Sequence, residues 1–87
     1  MPKYIIIDSA RRHRIPDDEM IYVIEHADEV LILNEFQNKT LYVGMSQSSR
    51  DIEAITVENV DGNLIIIHAM KLRKSTLRKI RRTIYGR

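Results

Sequence analysis

The stretch Asn63-Leu64-Ile65-Ile66-Ile67-His68-Ala69-Met70-Lys71-Leu72-Arg73-Lys74 leaves this chain few ways to fold. Leu64 to Ile67 are consecutive aliphatics, three of them β-branched. A run that is apolar at both parities reads as a strand buried on both faces. Periodicity alone does not separate this from a short buried helix. Asp61-Gly62 decides for a strand, because it is a hairpin signal with Thr56-Val57-Glu58-Asn59-Val60 on its other side. The strand is therefore expected at the centre of an antiparallel sheet. His68 shares a parity with Leu64, Ile66 and Met70, and Lys71 and Arg73 share the other with Ile65 and Ile67. The chain leaves the core there and presents cations at the strand's end, where scaffolds commonly carry function.

The charge distribution sharpens that picture. The net charge is +2, but residues 1–70 carry six Lys/Arg against twelve Asp/Glu, whereas residues 71–87 carry eight Lys/Arg and no acid. A basic segment of this kind points to phosphate or to an acidic protein partner. It also fits a solvated helix face. There is no cysteine, so neither a disulfide nor a thiolate metal site is available. The apolar run Ile5-Ile6-Ile7 is too short for a signal peptide, and no segment is long enough to cross a bilayer. A cytoplasmic location without membrane contact is the expectation.

Along the chain, Lys3 to Ile7 reads as a first strand and Ala10 to Arg14 as a short helix capped by Asp8 or Ser9. Ile15-Pro16 breaks that helix. Asp17, Asp18 and Glu19 open a second helix, whose positive end they complement. Its core stripe is Met20, Val23, Ile24 and Ala27. Three strands follow, over Glu29–Phe36, Thr40–Met45 and Asp51–Asn59, with Ile55 and Val57 inward and Thr56 and Glu58 outward. Gly44 is expected at a bulge or a close approach. After the strand that begins at Leu64, Ser75 or Thr76 caps a C-terminal helix with the narrow apolar stripe Leu77, Ile80 and Ile84, ended by Gly86. This order predicts one α+β domain over residues 1–87. It has a short N-terminal strand, two helices, a four-stranded antiparallel meander and a basic C-terminal helix.

That order, with three local motifs, resembles the BrnT-like toxins of the RelE/ParE superfamily, bacterial ribonuclease toxins of type II toxin–antitoxin systems. Arg12-His13-Arg14-Ile15-Pro16-Asp17-Asp18-Glu19 is similar to the family's Lys-His-x-Val-Ser-x-Glu-Glu stretch. Leu41-Tyr42-Val43-Gly44 is similar to its Tyr-Leu-x-Gly strand, and Ile66-Ile67-His68-Ala69-Met70-Lys71 to its Ile-Ile-Ser-Ala-Arg-Lys strand end. The chain departs from the pattern at four positions. Met70 stands where the family has Arg, and His68 where it has Ser or Thr. Thr76 and Ile80 stand where the family has Glu and Tyr. The missing Arg removes a fixed phosphate-binding fork, a role open to Lys71 or Arg73.

The resemblance implies a toxin-like ribonuclease that acts on RNA, free or ribosome-associated, without a cofactor, and a cognate antitoxin that covers the basic patch. Attack by the 2′-hydroxyl needs a base, cations on the phosphate, and an acid for the leaving oxygen. His68 is the candidate base or acid, since imidazole exchanges protons near neutrality. Lys71 and Arg73 are the candidate phosphate ligands beside it. Arg50, Lys74, Arg78, Lys79, Arg81, Arg82 and Tyr85 are candidate RNA contacts, and Tyr42 a candidate stacking group. His13 and His26 read first as surface residues. No His/Asp/Glu spacing suggests a metal site, and no Gly-rich phosphate loop is present.

Two other functions fit the same residues. One is a non-catalytic module that binds nucleic acid or protein through the basic helix, with binding but no scission. The other is a gyrase-directed toxin on the same fold. Open sheet edges and the narrow stripe of the last helix are compatible with a homodimer.

Overall fold

The computed structural model describes residues 3–84 and has the α+β order that the sequence predicts. Strand β1 (Tyr4–Ile6) runs into a single 3₁₀ turn (Asp8–Arg11) and then helix α1 (Asp17–Glu25). Strands β2 (Glu29–Asn34), β3 (Lys39–Met45), β4 (Asp51–Glu58) and β5 (Leu64–Lys71) follow, and helix α2 (Lys74–Ile84) ends the described chain.

The sheet is five-stranded and mixed, in the order β1-β5-β4-β3-β2, rather than four-stranded and antiparallel. The difference lies in β1, which pairs parallel to β5 with Tyr4 opposite Leu64 and Ile6 opposite Ile66. It covers what would otherwise be an open edge of the most apolar strand, so β5 is central with a parallel neighbour on one side and antiparallel β4 on the other.

Both faces of the sheet are covered, which explains why β5 is apolar at both parities. On one face, Met20, Val23 and Ile24 of α1, with Ala10 and Ile15, pack against Ile52, Ala54, Ile66 and Ala69. On the other, Ile80 of α2 packs with Leu41 and Val43, flanked by Leu31, Leu33, Ile55 and Leu72. Thr56, expected outward, is buried because it lies opposite Ile66 on the α1 side.

Several local features differ from the sequence reading. The first helix is only one 3₁₀ turn, and Ile7 at its start makes no side-chain cap. Ser9 instead donates its hydroxyl to the Ile67 carbonyl at 2.8 Å. Strand β2 stops at Asn34, after an irregularity between Ile32 and Asn34, and the Asn34 side chain accepts the Gln37 N–H. Phe36 is left in the turn, fully exposed. The β4–β5 connection is wider than a two-residue hairpin: Asn59 and Asn63 close it, and Gly62 takes the positive φ of 80°. Gly44 pairs regularly with Ile52, and it is small because a Cβ there would stand 3.3 Å from the Ala27 backbone.

Candidate functional site

A bulge decides where His68 points. Ile55 of β4 lies opposite His68, but its neighbour Thr56 lies opposite Ile66, so Ile67 is the extra residue. A bulge breaks the alternation of side chains. His68 therefore leaves the face of Leu64 and Ile66, where simple parity put it, and shares a face with Met70, Glu53 and Ile55. Ser9 holds the bulged Ile67 carbonyl, and Ile7 N–H bonds the Ile66 carbonyl beside it.

On that face His68 and Glu53 are diagonal neighbours across β4 and β5, within side-chain reach. His68 Nε2 meets Glu53 Oε2 at 2.8 Å. Glu53 is completely buried, whereas 22% of the His68 side chain meets solvent. The chain then turns from β5 into α2, and Arg73 immediately precedes the helix. Its backbone N–H bonds Glu53 Oε1 at 2.9 Å, and its guanidinium bonds Oε2 through Nη2 at 2.7 Å and Nε at 3.2 Å. The carboxylate so accepts an N–H at the helix start, where unpaired donors and the helix dipole favour an anion. The expected caps, Ser75 and Thr76, give way to this side chain from β4.

Burial pushes the Glu53 carboxyl upward. Hydrogen bonds from the Arg73 guanidinium, the Thr76 hydroxyl, the Arg73 backbone and His68 outweigh it and bring the pKa down to about 2. An ionised carboxylate only accepts, so His68 Nε2 must carry the proton of their shared hydrogen bond. Neutral His68 then keeps its lone pair on Nδ1, for which the described residues supply no hydrogen-bond partner. Because no buried side-chain nitrogen or oxygen among the described residues lacks a partner, Nδ1 meets solvent. Nearby, the His13 ring stands edge-on to His68 with centroids 6.1 Å apart.

The other candidate residues divide into two groups. Lys71 lies opposite Ile52, which faces α1, so alternation places it on the sheet face away from His68. Arg50 is tied to Glu19 at 3.1 Å and to Ser48, and so belongs to the first turn of α1. Tyr42 packs, half-buried, against the α1-side core. By contrast, Lys74, Arg78, Lys79, Arg81 and Arg82 are all exposed on α2, whose Thr76 and Ile80 are buried. Helical spacing puts Lys74, Arg78, Arg81 and Arg82 on one outer stripe. Tyr85 lies outside the described residues.

The residue that the sequence reading passed over is Glu53. The available signal was its parity, since it alternates with Ile55 and Val57, both expected inward. An acid on a core-facing parity needs partners, and here they are the imidazole and the guanidinium. No group of three or more His, Asp or Glu with metal-binding geometry occurs among the described residues. No helix among them is long and apolar enough to cross a membrane. Comparison of the sequence with protein-family models, with curated proteins and with solved structures gives no match in any of the three.

Proposed function

We propose that the protein is a toxin-like ribonuclease that cleaves RNA without a metal ion at the centre built by Glu53, His68 and Arg73. The observation that carries this reading is the hydrogen bond between His68 and the buried Glu53. A carboxylate that fixes one ring nitrogen leaves the other oriented toward solvent as a base, the arrangement that proton abstraction requires. His68 takes the proton of the 2′-hydroxyl, which then attacks the adjacent phosphorus. Glu53 is a positioning residue, since it touches His68 and not the substrate. Arg73 keeps about half its side chain exposed while paired, with its Nη1 turned to no partner among the described residues. It takes the place of the guanidinium that Met70 lacks and supports the phosphate charge. The outer stripe of α2 carries the strand of RNA past the centre. The resemblance to BrnT-like toxins adds a cognate antitoxin, bound over the same basic surface, and predicts an antitoxin gene beside this one.

One observation favours a second reading, RNA binding without scission. Arg73 is committed to Glu53, and Lys71 is on the other face, which leaves few cations at the reacting phosphate.

Incubation of purified protein with end-labelled RNA in the presence of a chelator separates the two. Cleavage by the wild type that falls at least about 100-fold in His68→Ala supports the ribonuclease. Binding without any cleavage replaces it by the binding module. A His68→Ala variant as active as the wild type rules out this centre.

A further inference from the structure

The turn between the 3₁₀ segment and α1 has its own chemistry. Arg12, His13 and Arg14 are exposed in sequence, and Arg14 adopts a left-handed backbone with φ of 60°. A non-glycine residue spends energy to hold that conformation. Arg14 N–H closes the turn on the Arg11 carbonyl at 3.1 Å. Arg11 anchors it further, since its guanidinium bonds the Ile6 carbonyl at 3.1 Å and Asp17 at 2.8 Å. Arg11 is thereby spent on structure, whereas Arg12 and Arg14 have no side-chain partner among the described residues. The anchored turn brings His13 to His68.

We infer that His13 is the second proton-transfer group of the centre: it protonates the leaving 5′-oxygen of RNA while His68 takes the proton from the 2′-hydroxyl. Arg12 and Arg14 bracket it as phosphate contacts. This rests on the ribonuclease reading above and deepens it.

The two imidazoles are unequal. His68 is held by a carboxylate and oriented, which suits a base. His13 is exposed, has no acidic partner among the described residues and lies between two arginines in the sequence. A hydrogen bond spans about 3 Å between heavy atoms. Rings 6.1 Å apart can thus each bond a different oxygen of one intervening phosphate after small side-chain movement. The step balances. His68 Nδ1 gains the 2′ proton, the O2′–P bond forms, the P–O5′ bond breaks and His13 gives its proton to O5′. The products are a 2′,3′-cyclic phosphate and a 5′-hydroxyl. Solvent then takes a proton from His68 and returns one to His13.

Leaving-group chemistry tests the assignment. An alkoxide leaving group needs an acid, whereas a nitrophenolate leaves without one. The full chain and its His13→Ala, His13→Gln and His68→Ala variants, matched for thermal stability, are assayed on RNA and on a uridine nitrophenyl phosphodiester. In both His13 variants RNA cleavage should fall about 100- to 10,000-fold and ester cleavage by less than a tenth of that factor. His68→Ala should lose both activities together. Equal loss on both substrates in the His13 variants makes His13 a binding or structural residue and overturns the inference, as does no loss on either. A wild type that cleaves neither substrate overturns the ribonuclease reading itself, and the inference with it.

Discussion

The Glu53 carboxylate grips Arg73 by main chain and side chain at once: Oε1 accepts the Arg73 backbone N–H at 2.9 Å, and Oε2 accepts its Nη2 at 2.7 Å. One buried group therefore fixes the start of α2, the guanidinium and the His68 ring. Removing it leaves several donors without a partner. Glu53→Ala should destabilise the fold by about 1–3 kcal/mol, the range for leaving partly buried donors without their acceptor, because the Arg73 charge that remains is half exposed and is taken up by water. Arg73→Lys keeps a charge but not the fork, and should cost about 1–2 kcal/mol. Urea midpoints check both values. If Glu53→Ala were as stable as the wild type, the carboxylate would be ornamental to the fold.

Acid stability should carry the signature of the same group. The folded Glu53 carboxyl titrates near pH 2, below its unfolded range. A depressed folded pKa means stabilisation that is complete above the ordinary carboxylate range and lost as pH falls through about 2. Glu19, lowered by Ser46 first and by Ser48 and Arg50 as well against the opposing pull of burial, contributes a loss of the same sign as the pH falls below the ordinary carboxylate range. The wild type should therefore lose stability steadily from about pH 4 downward. Glu53→Gln should begin less stable and show a shallower loss over that range, followed by denaturant titration at each pH. Parallel curves would remove Glu53 as the cause.

Much of this architecture was written in the sequence, and the missing parts have local causes. The acids at Asp17–Glu19, the stripe Met20–Val23–Ile24 and the aliphatic run of β5 are periodic signals, and each appears where it was expected. The pairing partner of β1 was not legible, because a parallel pair joins residues sixty positions apart with no turn between them to mark it. The facing of His68 was not legible either. A bulge has no fixed sequence signature, and one extra residue reverses every parity argument beyond it. Since Glu53 becomes a partner of His68 only after that reversal, the centre was hidden by the same single residue, Ile67.

The bulge itself should respond to Ser9. Its hydroxyl supplies the donor at 2.8 Å for the Ile67 carbonyl, and among the described residues Ile67 has no partner in the β4 register. Ser9→Ala should cost about 1 kcal/mol and broaden the His68 imidazole resonances as the ring loses its fixed position. Unchanged resonances would mean that β4 pairing alone sets the bulge.

Close packing predicts the effect of the smallest change in β3. A Cβ at Gly44 would meet the Ala27 Cα at 3.3 Å, and backbone yields less readily than a side-chain tip. Gly44→Ala should therefore destabilise by about 1–3 kcal/mol despite the better strand propensity of alanine. Equal or greater stability in thermal melts would show that the connection after α1 shifts freely.

The basic helix makes its prediction through salt. Counterion release gives a slope of about −0.7 per phosphate contact in a log–log plot for single strands. Lys74, Arg78, Arg81 and Arg82 share the outer stripe of α2, so one strand can touch all of them, whereas Arg50 is engaged with Glu19. Replacing the four by Gln should flatten the slope by roughly 3 and weaken binding to every RNA sequence alike. Arg50→Gln should leave the slope unchanged, because its charge is already compensated inside the protein. Fluorescence anisotropy of a labelled RNA over a salt series reads both. A quadruple variant with an undiminished slope would return the stripe to the status of a solvated helix face. A large effect from Arg50→Gln alone would move the RNA path to the α1 side of the sheet.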